Sequence, residues 1–373
     1  MKLPGILHLI HHLDPGGAET FFTDLLPALR GRGFDVHAAC LNRGGILADK
    51  LHEKDIPVHL IDKRRGPDIG AVLRLRRLLR QLDAGILNTH EYSAYFWGGT
   101  AAGPGGPVIV STIHAEAGWH SPAKHLAVSG MLRGRTAAYV AVSEVVADSI
   151  ARKERVPRRK ITVIPNGVDL SRLKVSGNKR KELRRKYGIP AEVAVAGMAG
   201  RCSAEKGGEY FLRAVAEVNA RGLPLYALLA GEGPEKSRWE RLAAESGIGG
   251  KAVFAGPVSG IGAFMQMFDF LVCPSIEESF GLAAIEGQAA GVPVIATCVG
   301  GVPEVLNNES DAILVPPRNA GAIASAVMRL SAETGLKEKL VEAGKVNVMK
   351  RFTIERAADL YGKLYIRLTE ESN

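Results

Sequence analysis

The chain has 373 residues, of which 46% are hydrophobic and 23% charged, with a formal net charge of +9. That length exceeds one ordinary core and suits two domains of roughly 150–200 residues each. The balance of apolar and charged residues excludes a disordered chain and a membrane-embedded bundle.

The opening Met1-Lys2-Leu3-Pro4-Gly5-Ile6-Leu7-His8-Leu9-Ile10 is too short in apolar length for a secretory signal. No stretch approaches the roughly 18 apolar residues of a spanning helix. Cys40, Cys202, Cys273 and Cys298 are widely spaced, without a Cys-x-x-Cys pair. Reduced thiols in a cytoplasmic protein, with no metal site, are the expectation. Residues 1–187 hold 30 basic and 17 acidic side chains, a net of +13, against −4 for the remainder. That asymmetry suggests that the first half faces something anionic, either nucleic acid or a membrane surface.

In chain order, the first strand is Ile6–Leu9. It is followed by Asp14-Pro15-Gly16-Gly17-Ala18-Glu19 and the helix Phe21–Arg30. A glycine pair at a strand-to-helix turn reads either as a cradle for an anion or as a tight turn needing positive φ. Strands Val36–Leu41 and Val58–Ile61 come next, then the helix Ile69–Leu82. Helical spacing gathers Arg74, Arg76, Arg77 and Arg80 on one side of it and most apolar residues on the other. Strand Ile86–Thr89 leads into His90 and Glu91, helix Ala94–Ala102 follows, and strand Val108–Ile113 ends at His114. A break over 165–186, rich in Pro, Gly and Lys/Arg, places the domain boundary near residue 175, giving domains of 1–175 and 176–353.

The second series runs Val193–Ala199, Leu225–Ala230, Val253–Ala255, Phe270–Cys273, Val292–Ala296 and Ile313–Val315, closed by helices Leu336–Lys350 and Ile354–Glu370. Residues 354–373 are expected to pack back on the first domain. Strands alternating with helices predict parallel sheets covered on both faces: two Rossmann-like, doubly wound α/β domains facing across a cleft. No Gly-x-Gly-x-x-Gly fingerprint or Walker-type loop occurs.

Two segments of this half carry chemistry. Gly200-Arg201-Cys202-Ser203-Ala204-Glu205-Lys206-Gly207-Gly208 offers two cations beside a Gly-rich turn, enough to neutralise a diphosphate without a metal, or else an ordinary solvated loop. In Pro274-Ser275-Ile276-Glu277-Glu278-Ser279-Phe280-Gly281-Leu282-Ala283-Ala284-Ile285-Glu286, two carboxylates flank a helix N-terminus. Glu286 lies among small apolar residues, where a charge needs a partner. Ser129 and Ser143 lack a Gly-x-Ser-x-Gly context.

Gly-Gly-Ala-Glu, Gly-Arg-x-x-x-Glu-Lys-Gly and Glu-Ser-Phe-Gly-Leu-x-x-x-Glu together resemble the retaining glycosyltransferases of family 4, which have the GT-B fold. Ile164-Pro165-Asn166-Gly167-Val168-Asp169 and Ala290-Gly291-Val292-Pro293-Val294-Ile295 extend the likeness to most of the chain. The resemblance implies a nucleoside-diphosphate-sugar donor in the second domain. Arg201 and Lys206 match the family's diphosphate pair, and Glu278 matches its contact to the transferred sugar, beside the amides of Phe280, Gly281 and Leu282. Glu286 matches the ribose carboxylate and Val258 the backbone contact to the base. Gly16 and Gly17 match a loop over the phosphates, and His114 a histidine near the donor sugar. Glu19, His90 and Glu91 are acceptor-side candidates.

No Asp-x-Asp occurs, so no divalent metal and no cofactor are expected. The expected chemistry is transfer to a sugar or lipid-linked hydroxyl, with the basic first domain docked on the inner face of an anionic membrane. A nucleotide-sugar 2-epimerase on the same architecture is the alternative enzyme. Nucleic-acid binding has only the high pI behind it.

Overall fold

The computed structural model describes residues 3–42, 44–115, 122–173, 179–258 and 260–371. It divides into two compact units, Met1–Gly167 with Ile354–Asn373, and Val168–Thr353. The boundary read from the sequence near residue 175 lies outside the described residues. The units part earlier, because Val168 already belongs to the second: its amide donates to Phe352 O at 2.8 Å, and it bridges Thr353.

The first unit comprises β1 (Gly5–Ile10), α1 (Gly17–Arg30), β2 (Asp35–Cys40), α2 (Gly45–His52), β3 (Val58–Leu60), α3 (Ile69–Gln81), β4 (Ala84–His90), α4 (Glu91–Ala102), β5 (Val108–Ile113), α5 (Pro122–Leu132), β6 (Thr136–Ala141), α6 (Glu144–Lys153) and β7 (Ile161–Val163). Among the described residues its strands form one parallel sheet in the order β3-β2-β1-β4-β5-β6-β7. The order reverses between β1 and β4, which makes the carboxyl ends of those strands the natural ligand crevice. β6 and β7 were not among the expected strands. β6, Thr-Ala-Ala-Tyr-Val-Ala, has no β-branched run, and β7, Ile-Thr-Val, is β-branched throughout but only three residues long.

The second unit comprises α7 (Lys179–Lys186), β8 (Ala194–Ala199), α8 (Gly208–Ala220), β9 (Leu225–Ala230), α9 (Lys236–Glu245), β10 (Ala252–Gly256), α10 (Ile261–Met265), β11 (Phe270–Cys273), α11 (Leu282–Ala289), β12 (Val294–Thr297), α12 (Val302–Val305), β13 (Ile313–Val315), α13 (Ala320–Ala332) and α14 (Leu336–Arg351). Its parallel sheet runs β10-β9-β8-β11-β12-β13, again reversing beside the first strand.

The last helix, α15 (Ile354–Glu370), returns to the first unit. Ile354, Ala357, Ala358, Tyr361, Tyr365 and Leu368 recur at helical spacing and share one core with Phe21, Phe22 and Leu25 of α1 and Ile6 and Ile10 of β1. Each large side chain so buried contributes roughly 1.5–3 kcal/mol. Polar caps start several helices: Asp68 accepts from the Ala71 amide at 3.0 Å, and Asn319 from that of Ala322 at 2.9 Å.

Dividing the charge by unit changes its meaning. The first unit carries 25 basic and 19 acidic residues, a net of +6, and the second 23 and 20, a net of +3. The steep asymmetry of the sequence halves arose because the run from Arg172 to Lys186 belongs to the second unit. No described helix is long and apolar enough to cross a membrane.

Candidate active site

In the second unit, the loops after β8 and β11 leave the sheet at its switch point and lock together through backbone. Gly207 has φ +67°, and a Cβ there would stand 2.1 Å from Pro274 O. Gly300 has φ +49°, and its Cβ would meet Glu278 O at 2.0 Å, while the Gly301 amide donates to that same oxygen at 3.0 Å. Ile276 N donates to Glu205 O at 2.7 Å. Glycine is required here by close approach, and the approach fixes where Lys206 and Glu278 sit.

Lys206 Nζ donates to Glu278 Oε2 at 2.6 Å, and Ser275 Oγ donates to the same oxygen at 3.2 Å. Burial disfavours the charged ammonium, but the Glu278 carboxylate more than offsets this and raises the Lys206 pKa. Glu286, in α11 and 8% exposed, receives Arg172 Nη2 on Oε1 at 2.9 Å. The expected partner for this carboxylate is therefore Arg172, which the sequence reading did not single out. Arg172 lies in the short turn Leu170–Leu173, with nothing local to mark it among other basic residues. Arg201 is exposed; its carbonyl accepts from the Ser203 amide at 3.0 Å, while its guanidinium forms no hydrogen bond or ion pair among the described residues. Thus two cations of the cluster are paired and Arg201 stands open, as an anion receptor requires.

Phe280 is 4% exposed and packs edge-on against Phe352, with centroids 5.7 Å apart. It anchors the turn in which Gly281, at φ +100°, caps α11 ahead of Leu282. Val258 is half-buried just beyond the carboxyl end of β10. Cys273 beside the cluster is held protonated, its pKa pushed up to about 12 by burial and then by Glu278.

In the first unit the expected anion cradle is filled. Glu19 is 3% exposed and turns back over the start of α1, so that a Cβ on Gly16 would lie 2.2 Å from its Oε2. His12 Nδ1 stands 3.6 Å from Glu19 Oε1. A carboxylate already complements this helix terminus. Gly16 and Gly17 thus form the turn over which the buried Glu19 carboxylate lies, beside His12.

His90 also differs from its expected place. It is 0% exposed, with Nε2 2.9 Å from His8 Nδ1 and Nδ1 3.0 Å from His114 Nε2. Both ring nitrogens being engaged, His90 has nothing left for an acceptor; it backs His114. Phe22 closes the row against His90 at 4.9 Å and Phe21 against His114 at 5.9 Å. Burial lowers the pKa of His8 to about 3 and of His114 to about 4. Burial also lowers that of His90 well below the usual imidazole value, helped by both neighbours. Glu91, which opens α4, has φ +67°, a left-handed conformation for a non-glycine residue at the end of a switch-point strand.

The basic face of α3 is partly consumed by structure. Arg74 Nε donates to Ile61 O at 2.8 Å and Arg76 Nε to Ala101 O at 3.0 Å. Arg77 and Arg80 remain exposed, beside Ile69 and Leu73, which are 79% and 56% exposed. Among the described residues no group of three or more His, Cys, Asp or Glu side chains is arranged to hold a metal ion.

Two family models match the chain: Glycosyltransferase Family 4 over residues 15–172, and Glycosyl transferases group 1 over residues 179–347. The 2-deoxystreptamine glucosyltransferase of Streptomyces kanamyceticus is 31% identical over 61% of this chain and 59% of its own length. A D-inositol 3-phosphate glycosyltransferase of Streptomyces bingchenggensis is 30% identical over 67% and 57%. The chain thus spans less than two thirds of these relatives' length. A crystal structure of Anabaena Alr3699/HepE in complex with UDP-glucose superposes with a TM-score of 0.88 at 20% identity, covering 97% of this chain and 99% of that one. One matched model falls on each Rossmann-like unit, and the chain belongs to the GT-B, family 4-like glycosyltransferases.

Proposed function

We propose that the protein transfers a hexosyl or N-acetylhexosaminyl group from a nucleoside-diphosphate sugar to a hydroxyl acceptor, with retention of configuration. The observation that carries this reading is the open Arg201 beside the Lys206–Glu278 pair, at the carboxyl ends of adjacent switch-point strands. UDP-glucose in the HepE complex is consistent with a donor of this class.

On this reading Arg201 and Lys206 bind the diphosphate, Glu278 orients the sugar hydroxyls, and Glu286 takes the ribose hydroxyls while Arg172 holds its carboxylate in place. The amides of Phe280, Gly281 and Leu282 lie alongside the diphosphate, and Val258 meets the base. The acceptor oxygen bonds to the anomeric carbon as the bond from that carbon to the β-phosphate oxygen breaks. The acceptor proton passes to a diphosphate oxygen, and the nucleoside diphosphate leaves. Arg201 and Lys206 stabilise charge that grows on the leaving group, which is where electrostatic preorganisation lowers a barrier. These cations serve in place of a divalent metal. His114 contacts a sugar oxygen, and Glu91 belongs to the acceptor side.

The acceptor is a sugar or lipid-linked hydroxyl in synthesis of a cell-envelope glycan or glycolipid. The exposed Ile69, Leu73, Arg77 and Arg80 of α3 support docking on the inner face of an anionic membrane. Incubation with sugar nucleotides in excess EDTA, with and without simple glycoside acceptors, tests the reading. Acceptor-dependent release of nucleoside diphosphate is expected. A strict metal requirement would overturn the metal-free chemistry, and epimerised donor formed without acceptor would replace transfer by isomerisation.

A further inference from the structure

A continuous line of hydrogen bonds runs through the first unit from α15 to the end of β5. Tyr361 Oη lies 3.3 Å from Thr112 Oγ1, which donates to Asn88 Oδ1 at 3.0 Å. Asn88 Nδ2 donates to Tyr365 Oη at 2.6 Å, and that oxygen lies 3.4 Å from His8 Nε2. His8 Nδ1 meets His90 Nε2 at 2.9 Å, and His90 Nδ1 meets His114 Nε2 at 3.0 Å. Thr112, Asn88, Tyr361, Tyr365, His8 and His90 are all 0% exposed. The line ends at His114 Nδ1, which is buried and has no hydrogen-bond partner among the described residues.

A neutral imidazole donates from one nitrogen and accepts at the other. A direction chosen at one end of such a row is therefore passed to every ring. Asn88 sets that direction: its carbonyl oxygen is taken by Thr112, so its N–H faces Tyr365. Tyr365 accepts from Asn88, and His8 Nε2 is the acceptor in reach of its own hydrogen. Run the other way, the line would aim two hydrogens at the Tyr365 oxygen and bury the phenolic hydrogen without an acceptor. His114 Nδ1 lacks a partner in either direction, as an N–H in the first and as a lone pair in the second, so the reverse arrangement is disfavoured by one further unpaired buried group, the Tyr365 hydroxyl.

We propose that Tyr365, His8 and His90 are positioning residues that hold His114 in its Nδ1–H tautomer. The site imidazole then offers substrate a hydrogen-bond donor and is barred from acting as a base, since its Nε2 is occupied by His90. The final helix is thereby part of the setting of a site residue far from it in sequence. The role toward substrate rests on the glycosyltransferase reading above; the tautomer does not.

The test is a long-range ¹H–¹⁵N spectrum of the full chain labelled at histidine, without nucleotide, with His114 assigned through His114→Gln. The expected result is a protonated Nδ1 and a bare Nε2 at His8, His90 and His114. A protonated Nε2 at His114, or a signal averaged between tautomers, overturns the proposal. Tyr365→Phe removes the donor that heads the row and is expected to turn the His114 signal into a mixture. An unchanged single tautomer in that folded variant also overturns it. Recording without nucleotide keeps this outcome separate from failure of the sugar-nucleotide reading, which donor titration reports.

Discussion

Arg172 Nη2 meets Glu286 Oε1 at 2.9 Å across 114 positions of sequence, joining a short turn at the start of the second unit to α11. The two side chains are 24% and 10% exposed, so the pair is only partly screened by solvent. Arg172→Ala is expected to cost about 1–3 kcal/mol in denaturant unfolding, less than a fully buried pair, and to raise the KM for donor. Adding Glu286→Gln should recover part of the lost stability by removing the uncompensated charge. Wild-type stability in Arg172→Ala would contradict the assignment.

Gly300 is expected to control the position of Glu278 rather than to touch substrate. A Cβ there stands 2.0 Å from Glu278 O at a φ of +49°, so Gly300→Ala must push the loop away. A displacement near 1 Å in a sugar-orienting group costs on the order of 100-fold in kcat/KM. Steady-state kinetics on the folded variant checks this, and a loss below about threefold would separate Gly300 from the site.

The buried histidines give stability a defined pH dependence. His8 and His114 titrate in the folded chain near 3 and 4, against 6.5 for an exposed imidazole. Between those limits the unfolded chain binds more protons, so stability is fully present above about pH 6.5. It is lost as the pH falls toward the folded values, by up to about 1.4 kcal/mol per pH unit for each histidine. Denaturant unfolding from pH 8 to 5 should show this slope, and His8→Gln should flatten it. A flat wild-type profile would count against the buried neutral row.

Much of the architecture was legible from strand spacing alone, because the central strands of each sheet are buried on both faces and read as largely apolar stretches. Arg201, Lys206, Glu278 and Glu286 stand out in the sequence because they belong to motifs that follow such strands; the structure sets Lys206 against Glu278 and Arg172 against Glu286. Arg172 was not, since only tertiary contact distinguishes it from other basic residues. The role of His8 was hidden inside an apolar strand, and Tyr365 looked like one more core residue of a helix. His90 and Glu19 were read as ligand contacts because strand ends and first helical turns usually face solvent; here neighbouring side chains cover both.

Vesicle sedimentation tests the basic face of α3. Binding to anionic vesicles at low salt is expected, falling with ionic strength. Arg77→Glu with Arg80→Glu should abolish it, whereas binding to neutral vesicles should be weak throughout. No binding at low salt would remove the membrane from the account.

Donor binding tests the central claim most directly. Thermal unfolding should be followed with UDP, GDP and ADP sugars, for the wild type and for Arg201→Ala and Lys206→Ala. A cognate donor at about 100 times its Kd contributes about 2.7 kcal/mol, a rise of roughly 5 °C or more in Tm. Such a rise is expected with at least one sugar nucleotide and is lost in both variants; the unliganded Tm of Arg201→Ala stays close to wild type, and that of Lys206→Ala falls because Glu278 loses its partner. Stabilisation by none of the panel, or an undiminished rise in both variants, would contradict it.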